Sequence, residues 1–462
     1  MKNILHIAFL AFILTSCFKG QKVDLIIHNG EINTLNEKNV VQDAIAIKDG
    51  KIVEVGPERQ ILNKYTAKEE IDAGSRSIYP SLSDFNVQLF EGARKQLALD
   101  LSNTASEDEM LVRLEKYDQK FHHDFVIAYN LDTSLWDTKH RLSDERINLL
   151  FPKKAVYLIF ENQKHILLNN SARKKQNINT STPIVDFNKV ELPNFKEALI
   201  KEELNSIFHS FLQYGVTEIH ASKLSKDQIN IINQIETEIN ITPSLNLDAA
   251  NSFDIQTKAA LLYLDLKNFP IKKNYQTFIN NCIENNKQVF FNVTDSITLE
   301  KAIYFCELAN EQKKDHRWII HYSKNLNKEN LERISLTGAF LSLSPSSVIK
   351  NKEYYHYNKT IEPLGLYLIS SEYPLNKLYP YEVIQNATTP NNNFSMSINE
   401  IMKGYCYWSS FAHFKEGSTG TIEQGKDATL VIFEKPLKQN FDLKSNYAKY
   451  VFKKGKIIYK ID

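Results

Sequence analysis

Glycine is scarce in this sequence, at 14 of 462 residues. Catalytic loops often need its freedom at positive φ, so the shortage bears on any site read from the chain. No Gly-x-Ser-x-Gly elbow, phosphate-binding loop or dinucleotide fingerprint occurs, which removes three common catalytic and cofactor architectures. An excess of one charge is also missing: 56 Lys and Arg balance 55 Asp and Glu, a net charge of +1. Without a basic excess or basic runs, no nucleic-acid partner is expected. Cysteine is rare, with four in all. Cys282, Cys306 and Cys406 show no Cys-x-x-Cys spacing and read as buried thiols, not as a disulfide or metal site. Beyond the first seventeen residues no apolar run is long enough to cross a bilayer.

What is present is ordinary for a globular protein: 42% hydrophobic and 24% charged residues, enough apolar material for a sizeable core. The length allows about three domains, although one α/β barrel can absorb roughly 250 residues. Residues 1–17 are a separate object. Lys2 supplies a positive start, Ile4 to Leu14 is an apolar run interrupted by His6, and Leu14-Thr15-Ser16-Cys17 closes it. That pattern resembles a bacterial lipoprotein signal peptide ending at a lipobox, with Cys17 carrying the lipid. The expectation is a lipid-anchored protein of the bacterial cell envelope, with a membrane as partner through the anchor.

The two ends of the remaining chain are rich in short strands. Asp24 to Ile32 reads as strand, turn at Asn29-Gly30, and strand, while Ala44 to Gly56 reads as a hairpin around Asp49-Gly50. Ala428 to Phe433 and the hairpin Tyr450 to Tyr459 repeat the style. Residues 22–78 and 418–462 are therefore expected to combine into a small β-sandwich. The middle alternates apolar strands (125–129, 155–160, 288–292, 318–321, 339–343, 366–370) with amphipathic helices such as 194–214 and 299–311. Strands separated by helices imply a parallel sheet with right-handed crossovers, and so many units favour a closed barrel. The fold expected is α/β: a distorted (β/α)8 TIM-like barrel over 79–417, with an inserted α/β subdomain at 95–180. In such a barrel the chemistry sits at the carboxyl ends of the strands.

Several segments, in order, carry a resemblance. They include Asp24-Leu25-Ile26-Ile27-His28-Asn29-Gly30, Leu99-Asp100-Leu101-Ser102, His165 to Ala172, Gly215-Val216-Thr217, Arg317 to His321, and Gly420 to Ala428. Together the chain resembles the amidohydrolase superfamily, in particular its N-substituted formamide deformylase-like and exoenzyme-like metal-dependent hydrolase branch. The resemblance implies hydrolysis of non-peptide carbon–nitrogen bonds by a water activated on one or two divalent metals. It also implies where the ligands should be. The first barrel strand, Pro80-Ser81-Leu82-Ser83-Asp84-Phe85-Asn86-Val87-Gln88, has Asn86 and Gln88 where the family has two histidines, and Ser81 for a glycine. A third family histidine falls on Asn292, and the bridging lysine on Leu261 if Asp265 is the aspartate that follows it. The final aspartate is Glu372, in Ser370-Ser371-Glu372-Tyr373-Pro374, and only His321 is kept as written.

Neutral amides are poor zinc ligands, so the metal centre reads as largely dismantled, in the manner of a pseudoenzyme. The expected pocket residues are Asn86, Gln88, His165, His220 and Asn292, with His321 and Glu372 as the candidate catalytic pair. Three readings follow. In the first, the chain is an impaired amidohydrolase homologue that uses no cofactor and holds a small amide-like ligand. In the second, it is an active hydrolase with one divalent metal, such as zinc, on a rebuilt site of His220, His321 and Glu372. In the third, it has a structural or interaction role. A metal-free acid–base pair of His321 and Glu372 is also open, given hydrogen-bond reach.

Overall fold

A computed structural model describes residues 20–134, 136, 142–180, 182–247, 261–267, 275–322, 324, 326–350, 364–375, 380–388, 396–438 and 446–461. The leader and Cys17 lie outside the described residues. The chain divides into two compact units, one of Met1–Val87 with Phe208–Asp462 and one of Gln88–Ile207. Among the described residues no helix is long and apolar enough to cross a membrane.

The first unit contains an eight-stranded parallel sheet. Its strands, in chain order, are Leu82–Val87, Val216–Leu224, Asn240–Leu247, Leu261–Asp265, Gln288–Asn292, Ile319–His321, Phe340–Leu343 and Tyr367–Ile369. Each is paired with its predecessor, the order that a right-handed strand–helix–strand chain produces. The eighth strand meets the first through side chains. The Ser371 amide donates to Asp84 Oδ1 at 2.8 Å, and the Ser370 hydroxyl donates to the Phe85 carbonyl. The result is a nearly closed barrel.

Strand periodicity fills it. Paired residues of neighbouring parallel strands face the same side. Phe85, Leu261, Tyr263, Phe290, Ile319, Phe340 and Leu368 thus form one buried cluster inside the barrel. Helix Ser296–Gln312 begins at a capping box of Asp295 and Thr298, just ahead of the apolar pattern, which sets its start earlier than 299. Helix Glu197–Gln213 falls within the expected 194–214.

The low-numbered end of the barrel is plugged by Arg317. Its guanidinium lies 3.9 Å and 4.0 Å from the ring centres of Phe411 and Phe414. It also bonds Glu416 at 2.9 and 3.0 Å and Asp315 at 2.7 Å. Conserving charge and covering apolar rings at once is what a planar, weakly hydrated guanidinium does best.

Two further sheets lie in the same unit. One has the order Lys51–Gly56, Ala44–Lys48, Gln21–His28, Tyr65–Asp72. The other joins both ends of the chain: Lys456–Lys460, Ala448–Lys453, Leu430–Phe433, Ser77–Pro80, Glu31–Asn33 and Val41–Gln42. Leu25, Ile27, Ile45 and Ile47 from the first share a core with Ile78, Leu430, Ile432 and Phe452 from the second. The Asn29-Gly30 turn therefore does not make a hairpin. It passes the chain from one sheet to the other, and at Gly30 a Cβ would come within 2.6 Å of Ile78 Cδ1, so that side chain would have to shift.

The second unit, Gln88–Ile207, is wider than the 95–180 read from sequence. Helix Leu89–Leu97 starts directly at Gln88, with no connecting loop to mark a boundary. Its five-stranded sheet runs Ile184–Asp186, His165–Leu168, Ala155–Phe160, Phe125–Leu131, Leu99–Asp100, mixing parallel and antiparallel pairs. Met110, Leu114, Val126, Val156, Leu158 and Leu167 form its core.

Candidate functional site

Register decides which side chains share a level at the carboxyl ends of the barrel strands. Asp265 pairs with Asn292, Asn292 with His321, and His321 with Ser342. These four side chains form one row. Leu261 is in the core cluster four residues below it, and the residue level with Asn292 and His321 on this strand is Asp265. The reason is strand length, since a four-residue offset on a strand moves a side chain by about 13 Å.

At the end of the row, His321 and Glu372 are bonded to each other. Glu372 follows the eighth strand and turns in with φ of 55°, a left-handed backbone that few non-glycine residues adopt. His321 Nε2 stands 2.5 Å from Glu372 Oε1, and His321 Nδ1 stands 3.1 Å from Ser342 Oγ. The hydroxyl of Ser347 donates to Glu372 Oε2. His321 and Glu372 are buried. Burial opposes ionisation of Glu372, but the His321 charge, its hydrogen bond and the hydroxyls of Ser347 and Ser344 outweigh that and hold the carboxyl below its ordinary range. An ionised carboxylate only accepts, so His321 Nε2 donates to Glu372, while Nδ1 stands within hydrogen-bond distance of the Ser342 hydroxyl, which can donate or accept.

Asn86 is also committed. Its φ of 57° turns it out of regular strand geometry, and Ser222 donates to its Oδ1 at 2.8 Å. Ser81, in the place of the expected glycine, bonds Thr217 at 2.7 Å. Asp84 has one oxygen on the Ser371 amide and the other without a partner among the described residues. Burial pushes its carboxyl up to about 7, with hydrogen bonds from Ser371 and Phe85 opposing and Glu372 adding to the rise.

His220, read as lying at a strand end, stands in the middle of Val216–Leu224, because that strand continues for four more residues. Its ring is fully buried, 4.9 Å from Phe290 and 5.4 Å from Phe85. Phe290 also packs at 5.8 Å against His321. Neither ring nitrogen of His220, nor of the buried His413, has a hydrogen-bond partner among the described residues. His413 Nδ1 is 3.6 Å from Glu218 Oε1, which accepts from Lys415 at 2.5 Å.

The other expected pocket residues divide differently. Asn292 is half-buried in the row, and its carboxamide makes no hydrogen bond among the described residues. Gln88 and His165 belong to the second unit. Gln88 is half-buried at the start of helix Leu89–Leu97, and His165 is exposed at the head of strand His165–Leu168, whose other residues are buried. Sequence reasoning missed Ser342, Ser347, Ser222 and His413. Serines at strand ends are common, and nothing in the pattern around them marked these.

Among the described residues, no three His, Cys, Asp or Glu side chains stand together as a metal would need. The Glu372 carboxylate and the His321 imidazole bond one another, and the amide oxygen of Asn86 accepts from the Ser222 hydroxyl.

No protein-family model matches the chain. It is 27% identical over 162 residues to YtcJ of Bacillus subtilis (strain 168), an inferred amidohydrolase, covering 34% of this chain and 31% of that one. It is 34% identical over 95 residues to the imidazolonepropionase of Brucella anthropi, covering 19% and 24%. The chain thus matches only about a third or less of these relatives' lengths. Solved structures match far more broadly. An uncharacterized metal-dependent hydrolase from Pyrococcus furiosus gives a TM-score of 0.71 at 15% identity, over 88% of this chain and 98% of that one. An adenosine deaminase from Xanthomonas campestris with bound zinc gives 0.58 at 12% identity, over 96% and 94%. The fold of this chain is that of the amidohydrolase-type metal-dependent hydrolases.

Proposed function

We propose that this chain is an amidohydrolase-superfamily protein that has lost the family's metal centre and uses the barrel mouth to hold a small amide-like ligand. The observation that carries the reading is the 2.5 Å bond between His321 Nε2 and Glu372 Oε1. In a metal site both atoms would point at the ion; here each satisfies the other. Asn86 and Asn292 stand at two positions where the resemblance expects imidazoles, and a carboxamide carries one donor and one acceptor group, suited to an amide ligand and poorly suited to zinc. The chain needs no cofactor. Cys17 carries a lipid that anchors the protein to a membrane of the bacterial cell envelope. The deformylase-like branch supplies the ligand class, small non-peptide amides.

Metal analysis by mass spectrometry on the purified full chain, with and without added zinc, tests this. Metal far below one equivalent, with the chain folded, is the expected result. Stoichiometric metal that is lost in Glu372→Gln or His321→Gln would overturn it in favour of an active hydrolase with a single zinc on a rebuilt site.

A further inference from the structure

The bond that occupies the remaining ligands also builds something new. From the carboxylate outwards, Glu372 Oε1 accepts from His321 Nε2 at 2.5 Å, and Ser342 Oγ stands 3.1 Å from His321 Nδ1, to which it donates when the imidazole is neutral. This is a hydroxyl, an imidazole and a carboxylate in hydrogen-bonded series, the arrangement that activates serine for nucleophilic attack. The three residues lie on the sixth and seventh strands and just after the eighth, so the barrel itself fixes their spacing. Glu372 is immobilised by the Ser347 hydroxyl on its second oxygen. Beside His321, in register with it, Asn292 presents a half-buried carboxamide that makes no hydrogen bond among the described residues.

We propose that Ser342, His321 and Glu372 form a metal-free acyl-transfer site in the barrel mouth, with Asn292 as the donor to the oxyanion. The inference rests on the reading that the mouth takes a small amide and that no metal is used. Ser342 is the nucleophile and His321 the base; Glu372 is a positioning residue. In the first step a bond forms between Ser342 Oγ and the carbonyl carbon, the carbonyl π pair moves to oxygen, and the hydroxyl proton passes to His321 Nδ1. Asn292 Nδ2 donates to the negative oxygen, and Glu372 holds the imidazolium. Collapse breaks the carbon–nitrogen bond, and the leaving amine takes the proton from Nδ1. Water then attacks the acyl-serine, giving its proton to His321, and the carboxylic acid leaves as Ser342 regains a proton. The net reaction is hydrolysis, and water is the only co-reactant.

Ser342 is buried, so the proposal requires that a small acyl compound reach it. That makes the proposal easy to break. The purified full chain is incubated with a small alkyl fluorophosphonate, in the presence and absence of a chelator, and the adduct is located by peptide mass spectrometry. A single adduct on Ser342, insensitive to chelator, absent in Ser342→Ala and slowed at least a hundredfold in His321→Gln, is the expected result. Glu372→Gln should slow labelling and move its pH profile, an effect that a merely structural carboxylate would not produce. Should Ser342→Ala fail to fold, Ser342→Cys keeps the volume and should instead react with iodoacetamide at the same position. An adduct on Ser344 or Ser347, or no adduct with a folded and metal-free chain, overturns the relay and leaves the ligand-binding reading standing. Chelator-sensitive hydrolysis with stoichiometric metal overturns both.

Discussion

His321 and Glu372 are 51 residues apart in the chain, yet their side chains bond at 2.5 Å, Nε2 to Oε1, with both buried. A neutral or charged imidazole in such a place needs an acceptor, and a buried carboxylate needs donors. Each supplies what the other lacks, and Ser342 and Ser347 complete the set.

Glu372→Gln keeps an acceptor for His321 but turns an amide group toward hydroxyls that had donated to the carboxylate. The expected cost at neutral pH is about 1–3 kcal/mol, read from denaturant unfolding. The pH dependence has a definite sign. The folded carboxyl lies below its ordinary value of 4.5, so its contribution is complete above that value and is lost as pH falls below it. Glu372→Gln should flatten the acid limb of the stability curve. An unchanged acid limb would show that the carboxylate is not held ionised.

Asp84 behaves oppositely. Its carboxyl is pushed up from 3.8 to about 7 by burial, so the folded chain keeps a proton that the unfolded chain has released. Stability should therefore fall as pH rises from about 4 to about 7 and level off above, with a drop on the order of 4 kcal/mol as an upper bound. Asp84→Asn can still accept from the Ser371 amide and should be the more stable form at pH 8. Parallel unfolding curves at pH 5 and pH 8 decide this.

His220 is buried with both ring nitrogens unpartnered among the described residues. Burial, with lesser effects from His413 and His321, holds it neutral, well below its ordinary 6.5. The unfolded chain takes up a proton below that value and the fold does not, so stability should decline as pH falls below about 6.5. Replacing the ring by leucine removes buried polar atoms at similar volume. His220→Leu is expected to be neutral or stabilising by about 1–2 kcal/mol at pH 8, and by more at pH 5. A large loss would show that the imidazole makes an interaction the fold depends on.

Arg317→Ala leaves Glu416 without its bidentate partner and uncovers the faces of Phe411 and Phe414. The expected loss is about 3–5 kcal/mol in unfolding free energy. Arg317→Lys should recover little of it, because an ammonium cannot lie flat between two rings while bridging a carboxylate.

The architecture was legible in the chain because strands and helices are written in local periodicity. The runs at 288–292, 318–321, 339–343 and 366–370 return as the fifth to eighth barrel strands, within a residue at each end. Apolar alternation and strand–helix order are enough to choose a parallel barrel. The site was legible only in part. His321 and Glu372 were found through their flanking motifs, but Ser342, which completes the series, carries no local mark.

By itself, then, the sequence determined the barrel and the strand-rich ends, and put Asn86, Gln88 and Asn292 where the resemblance expects imidazoles. Tertiary structure alone decided how His321, Glu372 and their neighbours pair. Register set Asp265 rather than Leu261 beside Asn292, and strand length left His220 among aromatic rings. The neighbouring placement of the sixth to eighth strands, which brings residue 372 to residue 321, let two side chains satisfy each other. Such pairings depend on contacts between strands tens of residues apart, and a one-residue change in register would point each of these groups to the other face of the sheet.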